Sequence, residues 1–299
     1  MDGVLQFLLN ALSLGSMYAL MALGLVIVFG ILRLVNFAYG ELLMVAGYTL
    51  LVVQGGAGGV PWLFLAVLAV IVAGVVSILT ERLAFRPVRS DSLNAMLVTS
   101  FAVSTLLQNS ALLFVSPRPR ALDIPSWLRG NVELGGLRLG IADVVTICVS
   151  LLFLAALGAL FRWTTLGLSL RAAADDFRML RLLGVRANVV IATAFAISGV
   201  LAGVVGVLWS ARIGSVTPTI GSTPLLIALI AVVVGGMNGL SGAIVGGYLL
   251  GALTVGMQLL LPQEVLAFRD AFIFAIVIVL LVARPQGIVK GRYSAERVG

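Results

Sequence analysis

The chain has 299 residues, 61% of them hydrophobic and 10% charged, with a mean hydropathy of +1.17. A soluble domain carries about 25% charged residues, so a soluble globular protein is excluded and an all-α, polytopic integral membrane protein is expected. Histidine is absent and Cys148 is the only cysteine, which removes the usual proton shuttle, the commonest nitrogen metal ligand and any intrachain disulfide. No metal site and no cofactor are expected, and Cys148 is expected simply to pack. The net charge of +7 reads as membrane orientation before nucleic-acid binding.

In chain order, apolar runs suited to crossing the hydrocarbon, which takes about 20 helical residues, fall at 4–29, 36–53, 61–79, 92–115, 144–161 and 188–210. No basic region precedes the first run, so it is expected to stay in the membrane rather than to be cleaved as a signal. The uncharged stretch 213–263 has room for crossings at 223–234 and 241–261, and a last span lies near 265–283. The 223–234 segment is short enough to be a half-helix buried in protein. Eight or nine transmembrane helices are therefore expected, in one membrane domain over 1–299.

Strict alternation of the spans puts Arg33, the "ERLAFRPVRS" loop, the 162–186 loop and the C-terminal tail on one face, which collects 13 of the 19 Lys and Arg. That face is expected to be cytoplasmic, with the C-terminus, and the Pro-rich loop "SPRPRALDIPSWLRGNVELGG" to be outside. Glycine concentrates in "GGMNGLSGAIVGGYLLG" over 235–251. Small residues let helix backbones approach closely in lipid. The run reads either as tight packing or as a helix break at Gly235, Gly236 and Gly239 beside a permeation path, with Asn238 a candidate path residue.

The polar loop "TTLGLSLRAAADDFRMLRLLGVRAN" over 164–188 reads as a short amphipathic helix. Ser169 can cap it, Ala172 to Ala174 propagate it, and Gly184 stops it. Arg171, Asp175 and Arg178 share one face, and Phe177, Leu180 and Gly184 fall on the neighbouring side with Ala173. Such a helix either lies at the lipid interface or docks a soluble partner. No phosphate-binding G-x-x-x-x-G-K-[ST] loop occurs, and without histidine there is no Ser/His or Cys/His pair. The chain is not expected to be an enzyme, and any ATP hydrolysis belongs to other subunits.

"RAAADDFRMLRLLGV" resembles the cytoplasmic loop of the permease subunits of bacterial branched-chain amino acid ATP-binding cassette transporters. "SLGSMYALMALGLVIVFGILRLVNFAYGELLMVAGY", "ERLAFRPVRS", "VVVGGMNGLSGAIVGG" and "ARPQGIVKG" agree in the same order, so the similarity covers nearly the whole chain. It departs from the family pattern at Tyr39, where histidine is usual, and at "GGMNGLSG". The resemblance implies a permease domain over 1–299, multi-pass in the bacterial cytoplasmic (inner) membrane, with 164–188 as its cytoplasmic coupling loop. Arg171, Asp175, Asp176, Phe177, Arg178, Leu180, Leu183 and Gly184 would contact the ATPase. It also implies a homologous second permease subunit, two ATP-binding cassette ATPase subunits, an extracytoplasmic solute-binding protein and import of a branched-chain or related amino acid. Permeases for urea and short-chain amides, in the same family, are the nearest rival. An ion-coupled secondary transporter and a membrane scaffold are rivals of other classes.

Glu41 stands at the head of the second run, in "NFAYGELLMVAGY". A carboxylate at the centre of a span costs about 2.5 to 3.5 kcal/mol on insertion scales, a cost the following apolar residues outweigh without explaining the glutamate. Placed within two turns of the cytoplasmic end, it would gain about 0.3 to 1 kcal/mol from the helix dipole, with Asn36 as cap. Alternatively Asn36, Tyr39 and Glu41 belong to the translocation path and meet polar groups of another span. The fourth span offers Ser100, Ser104 and Gln108 as one polar stripe, which interhelical hydrogen bonding explains about as well as pore lining does.

Overall fold

The computed structural model of the chain describes residues 2–56, 59–89, 92–134, 137–237 and 239–289. Helix α1 (Asp2–Leu32) is followed by a 3-10 turn (Phe37–Tyr39) and α2 (Glu41–Gly56). Next, α3 (Trp62–Thr80) runs through a π-helical turn (Glu81–Phe85) into the short α4 (Arg86–Val88), and α5 (Leu93–Phe114) follows. The connection beyond α5 carries β1 (Arg120–Ala121), a 3-10 turn (Ser126–Arg129), β2 (Asn131–Leu134) and β3 (Leu137–Gly140). Then come α6 (Ile141–Trp163), α7 (Thr165–Asp175), α8 (Phe177–Leu182), α9 (Ala187–Ile213), β4 (Ser215–Val216) and α10 (Ser222–Gly235). The described chain closes with α11 (Leu240–Leu260), a 3-10 turn (Gln263–Phe268) and α12 (Arg269–Ala283).

Among the described residues, eight helical segments are long and apolar enough to cross a membrane, and Ser222–Gly235 is a ninth, shorter apolar helix. The protein is an all-α, multi-pass membrane protein. Its strands are short ties between connections: β1 pairs antiparallel with β4 and β2 with β3. Cys148, expected to pack, is exposed on α6, where Val144, Leu151 and Leu152 are exposed as well.

Two compact units share the chain. The first comprises Met1–Val26, Ser126–Leu152 and Leu226–Gly299. In it α1 and α11 meet through small residues. A Cβ added to Gly247 would come within 2.4 Å of the Ala19 backbone, and one added to Gly251 within 2.3 Å of Gly15. Two small residues one turn apart on each helix thus allow backbone contact, the usual substitute for a hydrophobic drive between helices in lipid. The segment after α12 folds back on the end of α10: Ile288 N–H donates to the Val234 carbonyl at 2.9 Å and Val289 N–H to that of Gly235 at 3.2 Å.

The second unit comprises Ile27–Pro125 and Phe153–Leu225. Its core is the packing of α2, α3 and α9. Gly199, Gly203 and Gly206 lie along α9, and added Cβ atoms there would come within 3.0 Å of Ser77, Val70 and Leu43 respectively. Ser77 donates to the Phe195 carbonyl at 2.6 Å, so this contact is fixed by a polar tie as well as by shape.

Candidate functional site

The second unit holds an interruption that hydropathy does not display. Helix α1 ends at Leu32, Arg33 takes a left-handed φ of 56°, and the chain leaves helical geometry until the 3-10 turn. Asn36 starts that turn, accepting from Ala38 N–H through its side-chain oxygen at 3.1 Å. Asn36 therefore caps the turn rather than the helix that begins at Glu41.

Glu41 opens α2 and is 2% exposed. Its Oε1 accepts from Ser104 Oγ at 2.9 Å and from Gln108 Nε2 at 2.7 Å. Its Oε2 has no hydrogen-bond partner among the described residues. Ser104 and Gln108 lie toward the middle of α5, so Glu41, the first residue of α2, stands level with the middle of that helix. The non-helical stretch between Leu32 and Phe37 separates α1 from the 3-10 turn. Such backbone is tolerated at membrane depth only where protein buries it, and Ala38 and Tyr39 are buried.

Of the expected stripe, Ser104 and Gln108 face Glu41, but Ser100 donates to the Leu97 carbonyl of its own helix at 2.8 Å. The face of α5 that meets the turn is Phe101, Ser104 and Gln108, since Phe101 stacks on Phe37 with ring centroids 4.1 Å apart. Tyr39 is buried with its hydroxyl unpartnered among the described residues. Among the described residues, Glu41 alone of Asn36, Tyr39 and Glu41 bonds to another span through its side chain. Asn238 lies outside the described residues.

A second helix starts beside the first. A Cβ added to Gly221 would lie 1.9 Å from the Gly40 carbonyl oxygen, and one added to Gly40 would lie 2.8 Å from that of Gly221. Gly40 precedes α2 and Gly221 precedes α10, so two helices begin side by side at the depth of Glu41. Discontinuous helices of this kind are the framework on which transporters build sites near the bilayer midplane. Nothing in the composition of 213–263 pointed to this pairing; only the shortness of the 223–234 run gave a hint.

The 164–188 segment forms two helices rather than one. Thr164, not Ser169, caps α7, accepting from Gly167 N–H at 3.0 Å; Ser169 lies inside the helix and donates to the Thr165 carbonyl. Asp176 is extended, and its Oδ1 accepts from Met179 N–H at 2.9 Å to start α8. The break separates Arg171 and Asp175, both exposed on α7, from Arg178 on α8, whose side chain is outside the described set. Asp176 and Gly184 are also exposed, Gly184 with φ 79°, and Phe177 is half-buried. Leu180 is buried, with Leu170 and Ala173, whereas Met179, Leu182 and Leu183 are exposed. Leu180 is thus an anchor, and the free apolar edge is Met179, Leu182 and Leu183. Sequence spacing also missed Arg33, whose Nη2 donates to the Ala174 carbonyl at 2.8 Å.

Apolar helices of membrane-crossing length, with two helix starts side by side next to a buried carboxylate, fit the class of membrane transport proteins. The family model described as branched-chain amino acid transport system / permease component matches residues 7–281, and the chain belongs to that family. It is 35% identical to the high-affinity branched-chain amino acid transport system permease protein BraD of Pseudomonas aeruginosa, covering 98% of each chain. It is 34% identical to the corresponding permease protein LivH of Escherichia coli, covering 98% of this chain and 97% of the other. A probable branched-chain amino acid transport permease protein of Methanocaldococcus jannaschii is 27% identical over 96% of this chain and 92% of its own.

Proposed function

We propose that the chain is the permease subunit of an ATP-binding cassette importer that moves branched-chain or related amino acids across the bacterial cytoplasmic membrane. The observation that carries the assignment is the full-length similarity to BraD and LivH, which leaves no region of the chain unaccounted for. One permease domain over 1–299 pairs with a homologous second permease, two ATPase subunits and an extracytoplasmic binding protein. The excess of basic residues on one face sets 164–188 and the C-terminus in the cytoplasm. There Arg171, Asp175, Asp176, Phe177, Arg178, Leu183 and Gly184 form the coupling surface, with Leu180 holding α8 in place.

The translocation path runs by Glu41, Ser104 and Gln108, with Asn36 and Tyr39 shaping the break and Ser100 a further candidate on α5; Asn238, outside the described residues, remains a candidate from the sequence alone. A buried carboxylate with one oxygen unpartnered costs about 1 to 3 kcal/mol, and an ionisable group within a span is retained where function needs it. The dipole at the start of α2 offsets part of that cost but does not call for two donors on another helix.

The test is uptake in proteoliposomes holding the chain with its second permease, ATPases and binding protein. ATP-dependent uptake of leucine, isoleucine or valine is expected. Uptake of urea or short amides alone, or uptake driven by an ion gradient without ATP, would reject the assignment. Cysteines placed at Thr165 and Ser126 in a Cys148→Ser background test orientation: an impermeant maleimide should reach Ser126 and not Thr165 in intact cells.

A further inference from the structure

A cavity of about 730 Å³ opens in the second unit, lined in part by Arg86, Arg89 and Arg186 and by Leu32, Met96 and Ile191. Its walls come from the last turn of α1, from α4, from the first turns of α5 and from the start of α9, so it lies at one end of several spans. In a bilayer that is the headgroup level. The apolar wall is well formed: Leu32, Met96 and Ile191 are all buried.

The three guanidinium groups are not equivalent. Arg89 donates to Asn188 Oδ1, and its Nη1 stands 3.8 Å from Glu81 Oε1, an ion-pair distance too long for a hydrogen bond. Arg86 and Arg186 form no ion pair within 4.0 Å of a carboxylate among the described residues, although the Glu81 carboxylate also feels the Arg86 charge, and no carboxylate is among those lining the cavity. A guanidinium presents a planar fork of donors that matches phosphate oxygens. Two such forks above an apolar wall complement a ligand with an anionic head and a hydrocarbon continuation. A carboxylate on a soluble partner would satisfy the charges and leave the wall empty.

We propose that this cavity binds the phosphate of an anionic phospholipid of the cytoplasmic leaflet, Arg86 and Arg186 holding the phosphate and Leu32, Met96 and Ile191 receiving the glycerol and first acyl carbons. Basic pockets between transmembrane helices on the cytoplasmic side are the usual seats of acidic headgroups. The leaflet rests on the orientation proposed above; the chemistry of the cavity does not. Phe177, the first residue of α8, also lines the cavity, so a bound lipid touches the coupling segment.

The experiment uses the delipidated full chain in detergent, with bound lipid counted by native mass spectrometry during titration. Phosphatidylglycerol should bind at one saturable site and phosphatidylcholine should not. Removing both guanidinium groups by Arg86→Gln with Arg186→Gln should weaken phosphatidylglycerol about thirtyfold, from about fivefold per basic group. Arg86→Lys with Arg186→Lys should retain binding in part and confirms that the fold survives substitution there. Equal binding of the two lipids, or an unchanged affinity in the glutamine variant, overturns the proposal. Equally tight binding of inorganic phosphate assigns the site to a free anion, and displacement of the lipid by the ATPase subunits assigns it to a protein; either result overturns it. Maleimide labelling of the Thr165 cysteine in intact cells would reverse the leaflet while leaving the detergent result intact, so the two readings fail separately.

Discussion

Arg33 donates from Nη2 to the carbonyl of Ala174, 2.8 Å away and 141 positions further along the chain. The residue that ends the first span therefore also satisfies one of the orphan carbonyls in the last turn of α7. Arg33 does this from a backbone φ of 56°, which disfavours every residue type but glycine. Arg33→Ala should lose both the guanidinium cap and any compensation for the strain, while Arg33→Gly loses the cap and relieves the backbone by about 1 kcal/mol. In purified protein the glycine variant should melt above the alanine variant. In the reconstituted complex both should hydrolyse ATP with less solute moved per turnover than wild type. Equal melting temperatures would show that the strain is not real, and unaltered coupling in both would remove Arg33 from the transmission of movement.

Glu41→Gln keeps the acceptor for Ser104 and Gln108 and removes the charge. If the carboxylate only complements the start of α2, the change costs at most about 1 kcal/mol and uptake is close to normal. If it pairs differently in the inward and outward states, each 1.4 kcal/mol shifts their ratio about tenfold. We expect uptake to fall more than about tenfold at matched protein amounts. Gln108→Leu, which strips one donor from a charge that remains, should instead lower thermal stability by about 1.5 to 3 kcal/mol.

The contact of Gly40 with Gly221 predicts an asymmetry among glycines that composition would treat alike. Gly221→Ala puts a methyl 1.9 Å from a backbone oxygen, where no side-chain rearrangement can relieve it, and should destabilise by more than about 3 kcal/mol. Gly158→Ala, with nothing within 4 Å of the new atom, should be neutral or stabilise α6 by up to about 1 kcal/mol. Thermal unfolding in detergent ranks the two, and similar melting temperatures would dissolve the paired helix starts.

At the end of α8, the exposed Leu182 and the next residue Leu183, also exposed, should respond differently to aspartate from the buried Leu180. Leu182→Asp with Leu183→Asp should insert and fold as wild type yet fail to couple ATP hydrolysis to transport. Leu180→Asp buries an unpaired charge and should reduce the amount of folded protein itself. Normal transport by the first variant places the docking surface elsewhere.

Hydropathy made the spans legible, and the four-residue spacing of Ser104 and Gln108 made their meeting with Glu41 legible too. The depth of that meeting was not. A window of apolar residues reads the same whether helix or 3-10 turn fills it, and the turn at Phe37–Tyr39 sets Glu41 at the head of α2, level with the middle of α5. Ser100, one turn before Ser104, bonds instead within its own helix, because a serine on a helix can satisfy itself on its own carbonyls. The split of the 164–188 segment depended on Asp176 capping a new helix instead of continuing the old one, a competition between local bonds that the propensity of the preceding alanines outweighs on paper. The Arg33 cap and the glycine contact are properties of two distant segments at once, and neither segment carries a mark of the other.

The hydrogen bonds from Ile288 and Val289 to the carbonyls of Val234 and Gly235 impose an order of completion on biosynthesis. Helix α10 leaves the ribosome before α11 and α12, and its terminal carbonyls wait without these partners until the chain beyond Gln286 has been made and both later helices are inserted. Any chain broken off before that point presents unsatisfied carbonyls in or near the bilayer, at a cost of several kcal/mol for each one in hydrocarbon. A truncated copy therefore differs from the finished one at the end of α10 as well as at its missing terminus.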